Sequence, residues 1–465
     1  MAMKKLIEPK LDCDPHTSWN SSNDGARTKQ GESTNVRSLS RATSLLAQVN
    51  FSALKIPLTL SLVNQVISSG GNFLLSIYLA RTLTLAEFGV YGIGYGLCML
   101  YVGIGNSVIL TQMSVNMSTH AKDQRDVYAA KMLNAVFVLG GAILFLTAIG
   151  YLISSFIWPD SNRLLSKVCA VAVAAVLFLC NEFFISYAYL QRKESLALVV
   201  NGVTMLVLFI CLFIEYNAGI TPSVENSLFF YALGAAAGAA TAYHRSSIRM
   251  SQGFQGFVPA VIESWHHGRW ALGGVIVTWM QSQTYAYIAM LFLGSVGVGL
   301  VNAAKLFISP FSFLLSAIQK ITIPRLADLR QTNPSRMMLV SVLLTTGLTI
   351  LTIIYSLILL SSVNFAASLI LGRHDANIEA LIGIWCWVLI FQMVRTGGGV
   401  LLQVQKKFRI LTLLNIPSAI ITIALAFLLI RTNGAVGAIW SVVAGEVALS
   451  LLIWREIAND KTHQH

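Results

Sequence analysis

A few residues of this 465-residue chain combine a side chain suited to chemistry with apolar surroundings. Arg395 falls in "LIFQMVRTGGGVLLQVQKK", Lys305 in "GLVNAAKLFISPF", Glu182 in "AAVLFLCNEFFISYAYL" and Glu446 in "GAVGAIWSVVAGEVALSLLI". A charge held in hydrocarbon costs about 2.5 to 3.5 kcal/mol on insertion scales, so such a group pairs with another charge or faces water or a ligand. Cations in this setting suit charge-assisted contacts to a mobile anion such as a diphosphate. Carboxylates suit the binding of a coupling ion, which makes Glu182 and Glu446 the candidates for that role. Two readings stay open: a watered route lined by Lys305 and Arg395, or a buried Arg395–Glu446 or Lys305–Glu446 bridge that only holds helices together.

A second set is polar but uncharged. In "PLTLSLVNQVISSGGNFLLSIYLA", Ser61, Gln65, Ser68 and Asn72 recur every three or four residues and so share a helix face, with Asn64 and Ser69 beside them. Thr278, Gln281, Ser282 and Tyr285 make a comparable patch further on. Such stripes line a cavity or form interhelical hydrogen-bond seams. The candidate cavity residues are therefore Lys305, Arg395, Gln65, Asn72 and Gln281. Neither a catalytic set nor a metal set emerges, and no cofactor is expected; His266 and His267 lack the further Cys or His ligands a metal site needs.

The elements that must carry these residues follow from composition. The chain is 55% hydrophobic and 11% charged, far from the quarter or so of charged residues in soluble domains. Apolar runs near the roughly 20 residues of a membrane span occur at about 57–80, 88–112, 131–157, 164–190, 196–215 and 226–243. They resume at about 270–293, 297–322, 337–361, 381–404, 408–430 and 434–454. The expected fold is an all-α polytopic membrane protein of about twelve transmembrane helices.

With the N-terminus inside, 25 of the 32 Lys and Arg fall on the cytoplasmic side, five outside (Arg81, Arg163, Lys167, Arg373, Arg431) and two within spans, as the positive-inside rule requires. The net charge of +12 is then an orientation signal with anionic membrane lipid as its partner, which argues against nucleic acid. Both termini are expected in the cytoplasm.

Residues 1–55 are polar and rich in Ser, Thr and Asn, and read as a disordered cytoplasmic tail. Residues 456–465 form a second, short tail. Between the halves, 244–268 reads as a cytoplasmic amphipathic connector lying on the membrane surface, with Phe254, Phe257, Val258, Val261, Ile262 and Trp265 at helical spacing. It separates an N-terminal six-helix lobe, 56–243, from a C-terminal one, 269–455.

The lobes read as repeats. A shift of 214 places Gln191, Arg192, Lys193 and Asn201 on Gln405, Lys406, Lys407 and Asn415, and places Asn181 on Arg395; a shift of 208 places Gly89 on Gly297. Six helices per half bring both halves in from the same side, so the repeats are parallel, a design in which transporters bind substrate between the halves.

"NFLLSIYLARTLTLAEFGVYGIGYGL" resembles the first helical hairpin of bacterial polysaccharide transporters, the O-antigen and exopolysaccharide flippase family of the multidrug/oligosaccharidyl-lipid/polysaccharide exporter superfamily. "GSVGVGLVNAAKLFISPFSFLLSAIQKITIPRLADL" is similar to the corresponding second-half hairpin, and "GAVGAIWSVVAGEVALSLLI" to the last helix. The resemblance spans about residues 55–455. It implies two six-helix lobes around a central cavity and export of an undecaprenyl-diphosphate-linked oligosaccharide across the bacterial inner membrane by alternating access. It further implies polysaccharide polymerase machinery as a partner, and gives Arg81, Glu87, Phe88, Gly89 and Pro324-Arg325 to fold and turn motifs. An integral glycosyltransferase would need substantial outer loops, which are short here. The alternative is a cation-coupled drug exporter of the same superfamily. Those commonly carry an acidic residue in helix one, which this chain lacks.

Overall fold

The computed structural model describes residues 51–117, 122–157, 162–254, 256–332, 334–372 and 375–462. Of the expected tail at 1–55, residues 1–50 lie outside them, while residues 51–55 are not tail but the first turns of the helix Phe51–Thr82; the side chains of Pro324 and Arg325 also lie outside. The described residues are helical throughout: α1 (Phe51–Thr82), α2 (Leu85–Gly105), a π-turn at Asn106–Leu110, α3 (Thr111–Met117), α4 (Lys122–Ile157), α5 (Asn162–Leu190), α6 (Glu194–Asn217) and α7 (Val224–Arg245). The second half continues with α8 (Phe257–Lys305), a 3₁₀ turn at Leu306–Ile308, α9 (Ser309–Thr332), α10 (Pro334–Ser361), α11 (Val363–Leu371), α12 (Ala376–Val404) and α13 (Phe408–Thr462).

Eight described helices are long and apolar enough to cross a membrane, and two of them are hairpins. α8 reverses at Gly294 and α13 at Gly434. Both glycines have φ near +60°, with ψ −169° at Gly294 and −136° at Gly434, a conformation open in practice only to glycine. The reversal is confirmed by what meets across it: Lys305 Nζ reaches Tyr285 Oη at 3.3 Å, and Ser418 Oγ donates to the Gly445 carbonyl at 2.8 Å. With α1 and the Ala/Gly-rich α7 this makes twelve spans among the described residues, each at a place the apolar runs mark. The fold is an all-α polytopic membrane protein.

Local rules explain the ends. Thr84 and Glu87 close a capping box at the start of α2, satisfying two amides reciprocally. Span eight breaks into a 3₁₀ turn just after Lys305 because Pro310 has no N–H to return to the Leu306 carbonyl.

The repeat is visible in the backbone. Arg192 and Lys406, paired by the 214 shift, are the only non-glycine residues with positive φ among the described residues, at 55° and 62°. Their turns carry the same bonds: Arg192 N–H to the Tyr189 carbonyl and Lys193 N–H to Ala188, against Lys406 N–H to Gln403 and Lys407 N–H to Leu402. The register at Gly89 needs correction. A Cβ on Gly89 would lie 2.0 Å from the Ser295 carbonyl, and one on Gly299 would lie 1.9 Å from the Leu85 carbonyl. These reciprocal contacts match Gly89 with Gly299 rather than Gly297, whose neighbour is Leu293. Arg81, at the end of α1, donates from Nε to the Ile370 carbonyl at 3.0 Å and from Nη2 to the Leu369 carbonyl, joining span one to the C-terminus of α11.

The connector also differs from the sequence expectation. From Phe257 onward it is no separate surface helix but the first turns of span seven, with no break before Gly294. Pro259 sits in the first turn, where a missing N–H does no harm. Ala260, Ser264 and Gly268, spaced by four, are its buried stripe. Ser264 and Gly268 dock on the π-turn of span two: the Val108 carbonyl accepts from Ser264 Oγ at 2.5 Å, and a Cβ on Gly268 would lie 2.8 Å from Val108 Cα. The apolar residues that suggested a surface helix, Phe254, Val258, Ile262 and Trp265, form its exposed face. The C-terminal tail is likewise helical as far as Thr462.

Candidate functional site

The seven candidate residues separate into two places, one in each half. In the first half a cavity of about 250 Å³ is lined by Gln65 and Asn72 of α1, Asn181 and Glu182 of α5, Asn201 of α6 and Tyr231 of α7. Its polar groups are largely tied to one another: Tyr231 Oη donates to Asn72 Oδ1 at 2.7 Å, Gln65 Nε2 to Ser69 Oγ at 2.7 Å, Asn201 Nδ2 to Asn64 Oδ1 at 2.9 Å, and Asn64 Nδ2 to Tyr189 Oη at 2.8 Å. Tyr95, Phe178 and Tyr231 build an aromatic wall, the last two with ring centroids 4.4 Å apart. Glu182 is the one carboxylate on the lining. The stripe on α1 thus lines a cavity and also forms a hydrogen-bond seam, both of the readings the spacing allowed.

In the second half, the corresponding spans bring charged groups together. Arg395 Nε donates to Glu446 Oε2 at 2.8 Å, and the Gln281 and Gln392 amides approach Glu446 Oε1 at 3.4 and 3.5 Å. The bridge allowed by the sequence therefore forms with Arg395, not Lys305. It is lopsided: the Glu446 side chain is 4% exposed and that of Arg395 is 32% exposed. Only Nε of the guanidinium is engaged, so its two terminal amino groups have no acceptor among the described residues. Breaking such a pair from the arginine side strands a buried carboxylate.

Lys305 is held differently. Its ammonium lies 5.8 Å from the Tyr285 ring centroid and 5.4 Å from that of Trp385, and donates to Tyr285 Oη. The Trp385 indole is fixed by its N–H to the Val301 carbonyl at 3.1 Å and stands edge-on to Tyr285. Two aromatic faces stabilise the cation without neutralising it. Tyr285 follows Gln281 by one turn of α8, so the lysine and the arginine pair share one polar strip. Thr278 does not join them: it is exposed and bonds its own helix at the Gly274 carbonyl.

Sequence reasoning missed Tyr231, Asn201, Trp385 and Gln392. Tyr231 and Trp385 sit in apolar runs as ordinary core aromatics, and nothing local distinguishes them. Gln392 had a local signal: it is a polar residue in an apolar run, three positions before Arg395 and so on the same helix face.

No family model matches the sequence, and no curated protein matches it. Solved structures do match the fold. An inward-facing multidrug resistance MATE family transporter of the MOP superfamily aligns over 86% of this chain and 96% of its own, with 12% identity and a TM-score of 0.66. The lipid II flippase MurJ, in an inward closed conformation, aligns over 86% of this chain and 87% of its own at 12% identity and a TM-score of 0.65. A MOP superfamily transporter from Pyrococcus furiosus aligns over 88% and 95% at 11% identity and 0.55. This chain has the fold of MOP superfamily transporters.

Proposed function

We propose that the protein is a flippase that carries an undecaprenyl-diphosphate-linked oligosaccharide, an O-antigen or exopolysaccharide precursor, across the bacterial inner membrane by alternating access. One observation carries the reading: Arg395 is anchored through Nε by a buried glutamate while its terminal amino groups are left for another anion. Guanidinium groups recognise phosphate oxygens through paired N–H donors, and an anchored one offers them without having to be ordered first. Lys305, held by aromatic faces rather than by a carboxylate, supplies a second cation on the same strip. The structural neighbours include a lipid II flippase, a protein whose named cargo is itself a lipid. Transport, and no covalent step, accounts for these groups; polymerase machinery would act on the product.

Deleting the gene should leave lipid-linked oligosaccharide on the cytoplasmic leaflet with its synthesis intact. If the sugars are never assembled, or if they reach the outer leaflet and stay unpolymerised, an enzymatic role replaces this one. Orientation is tested separately. A cysteine at Asp160 or His374 should react with a membrane-impermeant reagent in intact cells and one at Ser251 should not; the reverse would overturn the cytoplasmic placement of the termini.

The second reading is a cation-coupled exporter of drugs or other small molecules. The first-half cavity favours it, because a carboxylate in a cavity of about 250 Å³ lined by amides and hydroxyls suits a small cation. In the flippase reading Glu182 and Glu446 are the ion-coupling groups.

A further inference from the structure

A second cavity, of about 300 Å³, shares no lining residue with the first. Its walls are Ile104, Val108 and Ile109 of span two, Ala135, Val138, Leu139 and Ala142 of α4, and Phe257, Val261, Ser264 and Trp265 at the start of span seven. Its polar side-chain groups are the Ser264 hydroxyl, which is spent on the Val108 carbonyl, and the indole N–H of Trp265. A lining otherwise of aliphatic and aromatic carbon suits a hydrocarbon chain better than a sugar or a peptide. The groove opens beside Val138 and Trp265, both well exposed, along α4, which is mostly exposed over its apolar length.

Charge lies at one end of it. Lys131 precedes Ala135 by one turn on the same face of α4, and its Nζ lies 3.1 Å from where a Cβ on Gly256 would be, next to Phe257 of the groove wall. No described carboxylate comes within ion-pair distance of Lys131. Arg245, the last residue of α7, and Arg249, in the loop that follows, are both exposed on the way to this end. From Lys131 to Ala142 the helix rises about 16 Å, close to half of the roughly 30 Å hydrocarbon core. A cation at headgroup level above an apolar groove that ends near mid-membrane has the dimensions of one leaflet.

We propose that this groove binds one anionic phospholipid, its acyl chain lying between spans two, three and seven and its phosphate on Lys131. Span seven opens the second half while spans two and three belong to the first, so the lipid fills the joint between the halves. The site is separate from the polar cavity and from the Arg395 strip, and binding there does not depend on what the protein transports.

The test is direct lipid binding to the purified full-length chain in detergent, read by native mass spectrometry and by the rise in unfolding temperature. The probes are phosphatidylglycerol and phosphatidylcholine with identical acyl chains, and inorganic phosphate alone. Wild type should prefer phosphatidylglycerol by about fivefold, the worth of one lysine near an anionic surface. Lys131→Gln should abolish that preference, Lys131→Arg should keep it, and Val138→Trp, which fills the groove from its exposed wall, should weaken both lipids. Inorganic phosphate should not compete. Equal binding of the two lipids by wild type, a preference that survives Lys131→Gln, tight binding to Val138→Trp, or displacement by phosphate would each overturn the proposal.

Discussion

Equivalent places in the two halves are built in opposite ways. In the first half, spans one, two, four, five and six surround open space whose polar lining is amides and hydroxyls, with Glu182 as its charge. In the second half, spans seven, ten and twelve meet at Gln281, Gln392, Arg395 and Glu446, and a charge pair occupies the place. The turns that follow span four and span ten are the same down to the positive φ of Arg192 and Lys406, so the scaffold does not cause the difference. A repeat preserves backbone geometry because turn chemistry and helix length dictate it. The chemistry inside each half is carried by a handful of side chains that can change without disturbing the scaffold. Counting Arg395 and Lys305 against Glu446, the second half holds an excess positive charge, and the first half holds a carboxylate.

The largest effect should come from breaking the second half's pair. Arg395→Ala strands Glu446 in a nearly dry site and should cost about 3 to 5 kcal/mol, visible as reduced membrane abundance, with transport lost. Adding Glu446→Ala should restore abundance but not transport. Recovery of both would reduce Arg395 to a structural partner, and normal abundance in the single mutant would show that the pair contributes little to folding. Arg395→Lys keeps the charge without the fork and should retain part of the transport.

Lys305→Met should matter less to folding. It removes cation–π contacts worth about 0.5 to 2 kcal/mol but also relieves a charge in apolar surroundings, so the unfolding temperature in detergent should stay near wild type while transport falls. A loss of abundance as deep as that of Arg395→Ala would make Lys305 structural; unimpaired transport would remove it from the route.

Glu182→Gln should have the smallest effect on stability, within about 0.5 kcal/mol, because the group lines open polar space rather than a packed core. Its effect should appear in coupling: transport that depends on an imposed ion gradient in wild type should lose that dependence. Unchanged gradient dependence would remove Glu182 from coupling and leave Glu446 as the remaining candidate. A marked fall in unfolding temperature would mean that the first-half cavity is as tightly paired as the second half, and the contrast between them would be lost.

Much of this architecture is legible in the amino-acid order alone. Hydrocarbon excludes unsatisfied backbone, so runs of about 20 apolar residues had to be helices, and all twelve are found where those runs lie. Thr84 and Glu87, three residues apart, announce the capping box, and glycine at 294 and 434 permits the reversals between paired spans. The sequence also singled out Arg395, Lys305, Glu182 and Glu446, since a charge in an apolar run is conspicuous. What it left open was partnership. Whether Glu446 meets Arg395 or Lys305 depends on how spans eight, ten and twelve rotate about their axes, and rotation is set by packing among helices distant in the chain. The same holds for the connector: its apolar periodicity suits a membrane-surface helix and an extension of span seven equally. Only the docking of Ser264 and Gly268 on the π-turn of span two decided between them, because the Val108 carbonyl that receives Ser264 belongs to a helix more than 150 residues away.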